Sequence, residues 1–141
     1  MSPVRAREMA QLSIQIKKCL SCGINLHSRY AIKYCSNSCQ KNHQYKAFIE
    51  NWKTGMHAGI IGKITYAISR HIRKYILDKY SSKCSRCGWS GQNIYSKKSV
   101  LEINHIDGNS MNNAESNLEL ICPNCHSLTC NFRNLNRGRG R

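Results

Sequence analysis

Eight of the nine cysteines fall into four short pairs: Cys19 with Cys22, Cys35 with Cys39, Cys84 with Cys87, and Cys122 with Cys125. Each pair delivers two sulfur ligands from one turn of chain, and two pairs complete a tetrahedron around zinc. A chain of 141 residues has little room for a large apolar core, so metal ligation is a natural supplement to burial. Disulfides are the competing use of so many cysteines, and the compartment decides between the two. The N-terminal stretch MSPVRAREMAQLSIQIKKC holds no apolar run long enough for a signal peptide, and no stretch approaches membrane-spanning length. The expectation is a soluble, cytoplasmic protein whose reduced thiols bind two structural zinc ions.

Charge narrows the partner. Lys and Arg number 22 against 7 Asp and Glu, a formal net charge of +15. Such a chain attracts a polyanion. Membrane binding would also want an amphipathic helix with large apolar anchors or a lipidation signal, and neither is evident. Nucleic acid is the expected partner.

Along the chain, Cys19, Cys22, Cys35 and Cys39 make a zinc-finger module. His43 is an alternative ligand, although the four-cysteine set is already complete. Tyr45, Phe48, Ile49 and Trp52 recur at helical spacing and predict a helix from Cys39 to Trp52, which the glycines of KTGMHAG end. IIGKITY has no assignable pattern. In AISRHIRKYILDKY, Ile68, Ile72, Tyr75, Ile76 and Lys79 form a helical stripe, with Arg70, Arg73 and Lys74 on another face. That basic face reads equally as solvated or as a DNA-backbone contact. His57 and His71 are read as structural.

The second cysteine set has a wide gap that holds a unit of its own. SVLEINHI alternates as a strand, DGNSMNNAES is a polar loop, and NLELIC alternates again. After Cys125, HSLTCNFRNL predicts a helix with Asn124 or Ser127 near its N-terminus. A zinc ion on Cys84, Cys87, Cys122 and Cys125 would tie both ends of the strand pair to the first turn of that helix. It would thereby bring His105 toward His126 without a large core. The tail NRGRGR is expected to be disordered when free.

From about Tyr80 onward, LEINHIDGNSMNNAESNLELICPNCHSLT resembles the HNH nuclease motif, in the zinc-containing form found among phage and homing endonucleases. The resemblance implies a small, zinc-stabilised α+β protein whose C-terminal part is a ββα-metal (His-Me finger) HNH domain, joined by helices to the N-terminal four-cysteine module. The implied divisions are residues 1–52 (zinc module and its helix), 53–80 (basic helical linker), 81–134 (HNH domain) and 135–141 (basic tail). The implied activity is metal-dependent hydrolysis of duplex DNA, leaving a 5′ phosphate and a 3′ hydroxyl, in a bacterial host or phage-infected cell.

By that resemblance His105 is the general base, a role suited to an imidazole whose unperturbed pKa is about 6.5. Asn117 hydrogen-bonds across the loop, and His126 binds a catalytic Mg2+ or Mn2+. Asn104 departs from the pattern: an acid is commoner at that position, as the other metal ligand. An amide supplies oxygen without charge, so a weaker metal site is expected. Glu102 would lie on the same strand face as Asn104 and could contribute through water, while Asp107 reads better as the opening of a turn. Cys130 is read as a small packing residue, since a thiolate suits Mg2+ poorly. Lys97 and Lys98 before the first strand, Arg133 on the helix, and Arg137, Arg139 and Arg141 in the tail are the expected DNA contacts. They position the duplex without specifying sequence. The rival reading is a non-catalytic, zinc-containing DNA-binding protein on a degenerate HNH fold, with Asn104 the mark of lost metal affinity.

Overall fold

The computed structural model describes residues 17–27, 30–60, 67–133 and 135. Residues 1–16 of the N-terminal segment read for a signal peptide, most of IIGKITY, and Arg137, Arg139 and Arg141 lie outside them. The chain divides into two compact units, Met1–Gln44 and Tyr45–Arg141.

The first unit is built on a cysteine knuckle. Lys18 bridges to Asn25, and the turn between them is closed by Cys19 N–H to Ile24 O at 2.8 Å and Gly23 N–H to Cys19 O at 2.9 Å. Helix α1, Asn37–Lys53, starts here, as the apolar spacing predicts. Ser36 precedes it and its hydroxyl accepts from Cys39 N–H at 3.2 Å, which satisfies one of the first-turn donors.

In the second unit the core gathers Ile49 and Trp52 of α1, Ile72 and Ile76 of α2 (Arg70–Lys79), Leu101, and Leu118, Leu120 and Ile121, with Cys84 and Cys122 at its edge. Helix α2 begins at Arg70 because Ser69 caps it, its hydroxyl accepting from His71 N–H at 3.2 Å. Just before it, Gly59 approaches so closely that a Cβ there would lie 2.4 Å from Ile72 Cδ1. Of the basic face of α2, one residue reaches into the fold and another is paired on the surface. Arg73 donates to the Leu101 carbonyl at 3.0 Å, and Lys74 pairs with Asp78 at 2.6 Å. His57 and His71 pack their rings on Phe48.

Strand β1, Glu102–His105, is shorter than SVLEINHI, and it pairs antiparallel with β2, Leu118–Ile121. The register sets Glu102 opposite Ile121, Asn104 opposite Glu119 and His105 opposite Leu118. All four β2 residues are buried, because one side faces the helices and Ser85 of the second knuckle lies against the strand, its backbone N–H donating to Leu120 O at 2.8 Å.

The last helix corrects the expectation. It is α3, Pro123–Ser127, only 5 residues, and it is capped by the Cys122 sulfur, which accepts from Cys125 N–H at 3.4 Å. Pro123 suits the first helical position, where its missing N–H is not needed. The helix ends early because side chains compete for its carbonyls: Ser127 Oγ donates to Asn124 O at 2.7 Å and Thr129 Oγ1 to His126 O at 2.8 Å. Arg133 is therefore in a turn, with φ of +52°, and its guanidinium stacks on Phe132. Cys130 is exposed rather than packed. Among the described residues, no helix is long and apolar enough to cross a membrane.

Candidate active site

Each cysteine set comes together. The Sγ atoms of Cys19, Cys22, Cys35 and Cys39 lie within 4.8 Å of one another, as do those of Cys84, Cys87, Cys122 and Cys125. A tetrahedral site with zinc–sulfur bonds of about 2.3 Å requires sulfurs about 3.8 Å apart. Observed separations of 3.4 Å for Cys35–Cys39, 3.6 Å for Cys22–Cys35 and 3.8 Å for Cys87–Cys122 fit that ion. His43 turns away to Tyr34, its Nδ1 at 3.2 Å from the hydroxyl, and is not one of the cluster.

The thiols show what a bound cation would have to offset. Crowding by Cys87 and Cys122, then burial and Cys84, pushes Cys125 up to about 12. Burial would also raise Cys84, yet the backbone N–H groups of Cys122, Cys87 and Arg86 bring it down to about 6. The first set repeats this, with Cys35 pushed up to about 12, chiefly by Cys39 and Cys22, and Cys19 brought down to about 6. Four thiolates cannot share such a volume without a compensating ion.

His105 ends β1, where the chain turns into the polar loop. Its ring Nε2 is 2.9 Å from Asn113 Oδ1. The orientation of that amide follows from its other contact, since Asn113 Nδ2 donates to the Ala58 carbonyl at 3.3 Å and a carbonyl can only accept. Asn113 therefore presents oxygen to His105. Nε2 carries the hydrogen and Nδ1 the lone pair. Trp52 Nε1 donates to the Asn113 carbonyl at 2.8 Å, and Asn131 Nδ2 donates to His105 O at 2.6 Å, so both ends of the arrangement are tied down. His105 lines an open cleft of ≈ 550 Å³ with Glu102, Ile103 and Arg73.

Asn117 closes the loop by three bonds. Its Oδ1 accepts from Asp107 N–H at 3.0 Å, and its Nδ2 donates to Asp107 Oδ1 at 2.8 Å and to Asn112 O at 2.7 Å. The Asp107 carboxylate is the hub of the turn. Burial would raise its pKa, but the Asn109 N–H and the Asn112 and Asn117 amides hold it below the usual range. Gly108 supplies the positive φ of +75° that this turn requires.

His126, on α3, pairs through Nδ1 with the Glu102 carboxylate. A carboxylate accepts, so Nδ1 carries the hydrogen and Nε2 is left to bind a ligand. Phe132 packs edge-on against the ring, its centroid 5.3 Å away. Asn104 is buried and faces Glu119, its Nδ2 donating to Oε1 at 2.8 Å. Among the described residues, only the cysteine sets gather three or more His, Cys, Asp or Glu side chains around one point; Glu102 and His126 bring two. Lys97 and Lys98 stand exposed at the tip of a hairpin closed by Asn93 N–H to Lys98 O at 2.9 Å.

Sequence reasoning missed Asn113, Glu119, Arg86 and Asn131. Asn113 is one of several asparagines in the loop, with nothing local to distinguish it. Glu119 could have been suspected as an acid set in an otherwise apolar strand.

Residues 84–131 match the family model described as HNH endonuclease. The chain is 32% identical over 145 aligned positions to the H-N-H endonuclease F-TflIV of Escherichia phage T5, covering 96% of this chain and 60% of that protein. It thus spans about 60% of the length of this curated relative. No solved structure gives a significant match.

Proposed function

Residues 84–131 being an HNH endonuclease domain, we propose that the protein is a metal-dependent endonuclease that hydrolyses phosphodiester bonds of duplex DNA in the cytoplasm of a bacterial host or phage-infected cell. The observation that carries this reading is the tautomer of His105. With Nε2–H bound to Asn113 Oδ1, the lone pair on Nδ1 is available to take a proton from the attacking water. β1, β2 and α3 make up the ββα unit on which these groups sit.

The donor chemistry fits a divalent cation such as Mg2+ or Mn2+, with Asn104 Oδ1 and His126 Nε2 the atoms that would hold it. When bound, that ion supplies Lewis-acid stabilisation of the charge developing on the phosphoryl group and on the leaving 3′ oxygen. Glu102 holds His126 in the tautomer that exposes Nε2. Asn117 holds the loop in the shape that places Asn113 over His105. The two cysteine tetrads would hold structural Zn2+. Lys97, Lys98 and Arg133, together with Arg137, Arg139 and Arg141 of the tail, are the proposed backbone contacts.

One observation favours a second reading. The Asn104 amide is committed through Nδ2 to Glu119, and its neutral oxygen is a weaker ligand than a carboxylate. On that reading the fold is a DNA-binding clamp without catalysis. Incubating zinc-loaded protein with supercoiled plasmid in Mg2+, Mn2+ or chelator decides between them. Nicked or linear DNA that requires both the cation and His105 establishes the nuclease. Plasmid that stays supercoiled with every cation, yet is retarded on a gel, establishes the clamp.

A further inference from the structure

Glu119 is a buried acid at the back of the site, and the mechanism above gives it no part. β1 and β2 place it directly across from Asn104, and the two residues are 9% and 5% exposed. Its carboxylate is saturated. Oε1 accepts from Asn104 Nδ2 at 2.8 Å and from Arg86 Nη2 at 2.6 Å, while Oε2 accepts from Arg86 Nε at 3.1 Å and from Ser85 Oγ at 3.4 Å. A carboxylate so engaged has no lone pair to offer a cation without giving up one of these bonds. It can, however, dictate which way the asparagine faces.

We propose that Glu119 is a positioning residue that aims Asn104 Oδ1 at a divalent cation, and that Arg86, held between Cys84 and Cys87, fixes Glu119 for that task. A carboxylate accepts only, so the amide nitrogen of Asn104 must face it and the amide oxygen must face away. The inference rests on the reading of Asn104 as a ligand and adds the reason an amide occupies that position. The negative charge of the pair resides on β2, where a bidentate guanidinium neutralises it. An aspartate at 104 would set two carboxylates against each other in a buried site, with a single arginine, already bound to Glu119, to neutralise both. Charge can move to 104 only if it leaves 119.

The test compares zinc-loaded full-length wild type with Asn104→Asp, Glu119→Gln and the double exchange. Thermal unfolding is measured for each, and Mn2+ affinity is measured from the electron paramagnetic resonance signal of free Mn2+. Asn104→Asp is expected to melt below wild type, and adding Glu119→Gln is expected to recover much of the loss, because the glutamine amide can donate to the new carboxylate. Glu119→Gln alone keeps the fold but frees the Asn104 amide to turn, so Mn2+ affinity falls by about tenfold or more, as for other residues that orient a ligand. The double exchange restores or exceeds wild-type affinity. The proposal is overturned if Asn104→Asp alone binds Mn2+ more tightly without losing stability, or if Glu119→Gln leaves the affinity unchanged. Plasmid cleavage by wild type, followed alongside, separates failure of this inference from failure of the nuclease reading. An active wild type with an indifferent Glu119→Gln discards only the positioning role.

Discussion

His105 depends for its usable nitrogen on a residue eight positions away, and that dependence can be measured. His105→Ala is expected to lower kcat for plasmid nicking by roughly 10²–10⁴-fold, the usual contribution of a general base. Asn113→Ala should lower kcat by a smaller factor with little change in KM, because the imidazole remains but its hydrogen is no longer held on Nε2. The 15N shifts of the His105 ring would then report a mixture of tautomers, where wild type shows the Nε2–H form alone. Unchanged ring shifts would mean that Asn113 does not set the tautomer. At this scale the sequence displayed the order of the candidate residues and was mute about what supports them. His105, Asn117 and His126 stand in a recognisable order with cysteine pairs around them. Asn113 and Glu119 act through contacts that exist only after a loop has closed and a strand register has been chosen.

The elements were easier to read where apolar spacing alone decides them. Ile49 and Trp52 of α1, and Ile72 and Ile76 of α2, are the buried residues that the helical stripes predicted. Packing then adds what no stripe shows. Ile76 is fully buried in the small core under the sheet, so Ile76→Ala is expected to cost about 2–5 kcal/mol in denaturant unfolding of the zinc-loaded protein. Gly59→Ala tests a different constraint, because the position combines a φ of +75° with a Cβ that would lie 2.4 Å from Ile72 and 3.1 Å from Trp52. Overpacking typically costs about 1–3 kcal/mol, and the backbone strain adds to it. A melting temperature equal to wild type would show that the Gly59 loop gives way freely. The short α3 was illegible for a related reason. HSLTCNFRNL has residues that can be helical, but Ser127 and Thr129 turn their hydroxyls onto its carbonyls, and Asn131 is drawn to the backbone of His105. Local propensity lost to hydrogen bonds whose benefit lies in the site.

For the molecule as a whole, the 22 lysines and arginines overstate how many cations are free to meet a polyanion until internal pairs are removed. Arg86 is held by Glu119 and Lys74 by Asp78, while Lys79 and Lys53 share Glu115. Burial would raise the Glu115 carboxyl, but Lys79 and the Tyr75 hydroxyl, with the charges of both lysines, hold it below the usual range. It stays ionised at neutral pH and keeps those lysines engaged. Lys97 and Lys98, by contrast, stand exposed on their hairpin. Each cation that neutralises a phosphate steepens the salt dependence of binding by about 0.9 in the slope of log K against log salt. Duplex binding should therefore weaken steeply with salt. Lys97→Ala and Lys98→Ala should each flatten the slope by about one contact. Lys74→Ala, which removes a cation already paired within α2, should leave the slope close to wild type. Fluorescence anisotropy of a labelled duplex across a salt series measures all three. Equal flattening by Lys74→Ala and Lys97→Ala would mean that the duplex is held by diffuse net charge. Flattening confined to the hairpin would mean that the fold, by pairing some of its cations, has chosen which face meets the phosphates.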